Sequence, residues 1–181
     1  MPVWSVVQSD NGAMLTVDEF ATPIGPLAVA ERGTRVCLLH FGTAGPDVDA
    51  CLGKWYPGET RRRGTVQGVR DALDRYFRGE LDALDVLQVE LNGTPFQRRV
   101  WQALRGIAPG TTISYRELAR RIGEPAAVRA VGAANGANPV AVIVPCHRVI
   151  GSNGTLTGYG GGLDRKQWLL AHEGVTPPAL F

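Results

Sequence analysis

Residues 145–150 read Pro-Cys-His-Arg-Val-Ile and follow directly on the apolar run Val140–Val144. A thiol attacks carbon as the thiolate, and it becomes one beside a base or a positive charge. His147 adjoins Cys146, and imidazole is the side chain best matched to proton transfer near neutrality. Neighbours on an extended strand point to opposite faces, so contact between the two requires a bend or a bridging water. Glu173, at the end of the last expected helix, is a candidate to orient His147. Taken alone, a Cys-His pair is more often a buried small hydrophobe beside a core histidine than a nucleophile with its base.

Other chemistries find less support. Cys37, Cys51 and Cys146 form no C-x-x-C pair, and adding His40 gives no convincing four-ligand set, so no metal is expected. Gly158-Tyr159-Gly160-Gly161-Gly162 ends in Leu163 where a dinucleotide loop needs glycine, and no G-x-x-x-x-G-K-[ST] occurs.

The elements that must hold these residues divide in two. The chain has 181 residues, 44% hydrophobic and 20% charged, enough for one ordinary domain or two small ones and incompatible with wholesale disorder. Val140–Val144 is the longest apolar run, far too short to span a bilayer. No basic-then-apolar leader pattern opens the sequence, and a reduced, cytoplasmic setting is expected. Charge is uneven. Residues 1–93 hold 9 Lys/Arg and 13 Asp/Glu, a net of −4; residues 94–181 hold 10 and 4, a net of +6. A basic second half points to a polyanionic partner there, against the alternative of a solvated face.

In the first half, residues 1–13 are polar and expected to be loosely held. Leu15–Phe20, Leu27–Glu31 and Arg35–Phe41 are strand-like runs separated by turns, consistent with an antiparallel meander. Pro46–Trp55 reads as a short helix, Arg61-Arg62-Arg63 as a solvated loop, 65–78 as a helix and Val86–Leu91 as a strand. A domain boundary is placed at Asn92-Gly93, giving domains 1–93 and 94–181.

The second half opens with Thr94-Pro95-Phe96-Gln97, a capping box with proline at the first helical position. Ser114-Tyr115-Arg116-Glu117 is a second such box, opening a helix that ends near Gly123. Pro125 opens a third through about Ala134, small-residue-rich and carrying Arg129. Helix, tight turn and helix form a helix-turn-helix pattern. Val140–Val144 reads as a buried extended segment, Gly151-Ser152-Asn153-Gly154 as the turn of a hairpin wing, and Asp164–Glu173 as a final helix. The fold class is therefore α+β: a small antiparallel sheet-plus-helix domain followed by a mostly helical winged helix-turn-helix domain.

The stretch Ile143-Val144-Pro145-Cys146-His147-Arg148-Val149-Ile150 resembles the active-site signature of the O6-alkylguanine-DNA alkyltransferases (methylated-DNA–protein-cysteine methyltransferases). Agreement continues through Gly158–Leu163, Trp168–Gly174, Phe96-Gln97, Val100-Trp101, Ser114-Tyr115, Arg129–Gly132 and Asn138-Pro139. The first half resembles the family's RNase H-like domain more loosely, through Thr22–Leu27 and Tyr76–Gly79.

The resemblance implies duplex DNA bearing O6-alkylguanine, and O4-alkylthymine, as partner, with the damaged base flipped into a pocket. Cys146 would take the alkyl group in one displacement, His147 would accept the thiol proton through a water, and Glu173 would fix the His147 tautomer. Tyr115 would donate to the departing base, and Asn138 would hold the turn before the cysteine. Pro145, Val149, Tyr159 and Gly160 would line the base pocket. Arg129 would fill the vacated stack, and Ala130 and Gly132 would allow close approach in the minor groove, with Arg116 and Ser152 also against DNA. The alkyl group comes from the DNA, so no cofactor is expected. The resulting thioether is a poor leaving group, so each monomer would act once, with no obligatory protein partner. Two alternatives stay open: a non-catalytic winged-helix lesion-binding or regulatory protein, and a Cys–His hydrolase.

Overall fold

The computed structural model describes residues 14–176. The expectation for residues 1–13 lies outside that range. Leu15 and Val17 alternate with polar residues in β1 (Leu15–Phe20), while β2 (Leu27–Arg32) and β3 (Arg35–Phe41) carry continuous apolar runs covered on both sheet faces; the three pair antiparallel as the turn spacing predicts. In the β1–β2 turn Gly25 takes φ 95°, left-handed backbone that favours glycine, and Thr22 Oγ1 donates to its carbonyl at 2.5 Å. Pro46–Trp55 forms α1, as expected.

Two expectations fail here. Arg61–Arg63 is not a loop but β4, parallel to β1, so the sheet runs β3-β2-β1-β4 and is mixed. Three successive arginines carry no alternation, so only pairing with β1 reveals the strand; the charges suit an edge that must not recruit another chain. Val86–Leu91 forms no named strand. Val89 bridges Val36 alone, with Val36 N donating to Gln88 O and Glu90 N donating to Val36 O, both at 2.9 Å. Between α1 and this segment lies α2 (Gln67–Phe77), slightly shorter than the expected 65–78.

The second half opens with α3 (Pro95–Arg105), whose capping box is complete: Gln97 N donates to Thr94 Oγ1 at 3.2 Å and Thr94 N to Gln97 Oε1 at 3.0 Å. Ser114 caps α4 (Tyr115–Arg121), but Glu117 pairs with Arg120 and Arg121 and its side chain does not close the second box. α5 (Val128–Gly136) starts after a turn at 124–127, later than expected. Trp101 of α3, fully buried, donates to Ala134 O at 2.7 Å and locks α3 to α5.

The hairpin wing is replaced. β5 (Ile113–Ser114) and β6 (Val149–Ile150) make a two-residue parallel ladder; the 151–154 turn forms, with Gly154 N donating to Gly151 O at 3.0 Å, but leads into no strand. α6 (Leu163–His172) closes the described chain.

One apolar core runs through both halves: Val29, Val36 and Leu39 of the sheet, Tyr76 of α2, Trp101 and Leu104 of α3, Val140–Val144, and Leu169 of α6. The other sheet face packs Leu15, Val17 and Cys37 under Val48 and Leu52 of α1. Among the described residues no helix is long and apolar enough to cross a membrane.

Candidate active site

The segment before the cysteine is buried but not extended, which corrects the sequence expectation. Ala141 bridges Val144, and Val142 takes φ 69° between them. Asn138 explains the fold-back: its Nδ2 donates to Val144 O at 2.8 Å and its Oδ1 accepts from Val140 N at 3.0 Å. The amide closes the fold-back, while β3 holds the start of the segment: Leu39 N donates to Pro139 O at 2.9 Å and Ala141 N to Leu39 O at 3.3 Å. A single 3-10 turn, Cys146–Arg148, follows and supplies the bend that a Cys-His site requires.

His147 is fully buried, Glu173 is 3% exposed and Arg148 6%. Glu173 Oε1 lies 3.0 Å from His147 Nε2 and 2.8 Å from Arg148 Nη2, and Oε2 accepts from Arg148 Nε at 2.9 Å. Tyr76, from α2, donates its hydroxyl to the same Oε1 at 2.7 Å. Burial opposes ionisation of Glu173, but the bonds from His147 and Arg148 outweigh it and hold the carboxyl well below its usual range. Burial pushes His147 below its ordinary value, partly offset by Glu173. A neutral ring facing an ionised carboxylate must carry its proton on Nε2. Nδ1 then presents a lone pair, and it is buried without a partner.

Burial pushes the Cys146 thiol up, while a hydrogen bond with Asn138 and the charge of Lys166 oppose the rise. Lys166 of α6 is fully buried and donates to Val149 O at 2.7 Å and Thr157 O at 3.1 Å. Its burial brings the ammonium down to about 8. Thr157 Oγ1 and the Tyr115 hydroxyl lie 3.1 Å apart in a hydrogen bond.

Cys146 borders a cavity of about 290 Å³, lined also by Asn138, Tyr159 and Gly160. Its far wall comes from the first half: His40 and Phe41 of β3 and Cys51, Lys54 and Trp55 of α1. The site loop sits tightly here, since a Cβ on Gly161 would come within 2.6 Å of the Phe41 ring. Pro145 and Val149 are buried, and neither they nor Tyr115 line this cavity. Arg129 and Ala130 are exposed on α5, with Gly132 half-buried against the Tyr115 ring; Arg116 and Ser152 are exposed elsewhere on this half. Among the described residues no cluster of His, Cys, Asp or Glu could hold a metal ion.

Sequence reasoning missed Arg148, Lys166, Asn135 and Tyr76. Arg148 and Lys166 are long cations that composition places on the surface; their burial follows from partners 25 and 17 residues away. Asn135 Nδ2 donates to Cys146 O at 3.4 Å. Tyr76 fell on the apolar stripe of a helix, where nothing distinguishes a core ring from one with a task for its hydroxyl.

A helix-turn-helix half that buries a thiol beside a histidine and a carboxylate defines a DNA-binding protein with a nucleophilic cysteine. The 6-O-methylguanine DNA methyltransferase ribonuclease-like domain matches residues 18–91, and the DNA binding domain of the same family matches 95–175. The methylated-DNA–protein-cysteine methyltransferase of Salmonella typhimurium is 48% identical over 164 residues, 88% of this chain and 96% of that protein. Mycobacterium tuberculosis OGT in complex with DNA superposes with a TM-score of 0.74 at 44% identity, covering 91% of this chain and 96% of that one. The O6-methylguanine-DNA methyltransferase of Pyrococcus kodakaraensis gives 0.69 at 28% identity, covering 90% and 100%. The chain belongs to the methylated-DNA–protein-cysteine methyltransferase family.

Proposed function

We propose that this protein repairs DNA by direct reversal, moving an alkyl group from O6-alkylguanine, and from O4-alkylthymine, in duplex DNA irreversibly onto Cys146. The observation that carries the reading is the buried Cys146–His147–Glu173 arrangement opening on a cavity beside a helix-turn-helix unit.

The alkyl carbon is unreachable inside the base stack, so the nucleotide must be extruded. Arg129, exposed and without an ion pair among the described residues, fills the gap it leaves. Ala130 and Gly132 let α5 lie close to the groove floor, and Arg116 and Ser152 add contacts. Tyr159 and Gly160 bound the base from the cavity wall, while Pro145 and Val149, buried and outside that lining, cap the Cys146–Arg148 turn at either end. His147 Nδ1 takes the Cys146 proton through a bridging water while Glu173 holds Nε2–H. The Sγ–carbon bond then forms as the carbon–O6 bond breaks, and the electron pair passes to guanine. The Tyr115 hydroxyl donates a hydrogen bond to the base and stabilises its developing negative charge. Asn138 keeps the thiol in place through the folded turn. A thioether has no exit here, so each molecule acts once, as a monomer in the cytoplasm. The work divides at Gly93/Thr94: residues 94–181 bind DNA and accept the alkyl group, and residues 1–93 support them.

The test is intact mass after incubation with duplex DNA carrying one O6-methylguanine. A gain of one methylene, capped at one per protein and absent in Cys146→Ala, is expected. Tight binding with no mass gain would instead mark a lesion-binding protein.

A further inference from the structure

We propose that Tyr76, on α2 of the first half, is a positioning residue for alkyl transfer: through Glu173 it sets both the orientation and the basicity of His147. The inference rests on the role given above to the His147–Glu173 pair. Tyr76 is fully buried, and its hydroxyl donates at 2.7 Å to Glu173 Oε1, the oxygen that also faces His147 Nε2. The backbone of the same residue holds the neighbouring position, since Tyr76 O lies 2.7 Å from His172 Nε2. Its ring packs edge-on to Phe77 and His172, at centroid distances of 5.3 and 5.1 Å. A single residue, 97 positions from Glu173 in sequence, therefore fixes the end of α6 twice.

The electrostatic consequence follows from sharing. Oε1 meets three donors, Tyr76, His147 and Arg148, and each bond draws charge from the carboxylate. Removing the tyrosine proton leaves more negative charge facing His147 and favours the imidazolium. The other charged and titratable groups around the pair are Arg148, Lys166, Cys146 and Tyr159, with His172 packed on the Tyr76 ring; Tyr76→Phe leaves every one of these side chains in place and keeps the ring and carbonyl that face His172. A Tyr76→Phe protein should therefore move the acid limb of the rate profile to higher pH. It should also slow transfer on the order of tenfold, the loss expected for one hydrogen bond to a charged group.

The experiment is a single-turnover rate with O6-methylguanine DNA, measured across the range in which histidine and thiol titrate. Wild type, Tyr76→Phe and Phe77→Leu are compared, with Cys146 reactivity toward iodoacetamide followed in parallel. Phe77→Leu loosens the same packing but keeps the hydroxyl, so it should lower thermal stability without moving the acid limb. A shift in Tyr76→Phe alone supports the proposal. Coincident profiles for Tyr76→Phe and wild type, or an equal shift in Phe77→Leu, overturn it. Should wild type fail to accept a methyl group, the repair reading falls, while the iodoacetamide profiles still decide whether Tyr76 tunes His147.

Discussion

Glu173 is the residue on which the buried charges balance. Arg148 places three nitrogens on Glu173 and on the carbonyl of Ile107, and among the described residues no other carboxylate pairs with its guanidinium. Replacing the carboxylate with an amide of the same shape, Glu173→Gln, leaves that cation buried and uncompensated. The expected cost is about 3–5 kcal/mol, read as a large drop in midpoint by thermal or urea unfolding, together with loss of alkyl transfer. The pH dependence follows from two depressed groups. His147 sits below its ordinary 6.5, so the unfolded chain takes up that proton first as pH falls, and stability present above about 6.5 begins to drain away. Glu173 sits below its ordinary 4.5, so its contribution is present above that value and is lost as pH falls further. Melting temperature measured against pH should fall in the first window and again in the second; a flat curve through both would contradict the burial of this pair.

At the scale of elements, the site depends on how closely its loop is seated. Gly161 has a Phe41 ring where its Cβ would go, with the nearest atom at 2.6 Å. Gly161→Ala must push the Tyr159-Gly160 segment away from β3. Since those two residues line the cavity beside Cys146, the expected outcome is a slower methyl transfer with unchanged affinity for undamaged DNA, measured by single-turnover kinetics and anisotropy. α3 offers the contrasting case. Its capping box is exposed and distant from the thiol, so Thr94→Ala should cost about 1 kcal/mol of stability and leave the transfer rate alone.

For the whole molecule, the sharing of one core decides how separable the halves are. Val140–Val144 pack with strands of the first half, Leu39 bonds to Pro139 at 2.9 Å, and Tyr76 reaches Glu173. A fragment of residues 94–181 would expose that surface to water, so it should show no cooperative thermal transition by circular dichroism. The charge of +6 on that half predicts electrostatic binding to DNA. Affinity should fall more than about tenfold between roughly 50 and 200 mM salt.

Much of this was legible in the sequence because it is local. Leu15–Phe20 alternates, Arg35–Phe41 carries a continuous apolar run between turns, and Thr94 and Gln97 stand three apart as a cap requires. Local backbone physics writes such features into a few consecutive residues. The family motif, rather than locality, made Cys146, His147 and Glu173 legible. Tertiary structure alone decided the rest. Arg61–Arg63 became a strand because β1 had a free edge, and Val140–Val144 folded back because Asn138 satisfied its backbone. Arg148 and Lys166 were buried because carbonyls and a carboxylate from distant segments awaited them. Tyr76 joined the site because its hydroxyl met Glu173 across 97 residues. Hydrogen bonds and ion pairs between distant positions leave no periodicity behind, so these partners become visible only when the chain has closed.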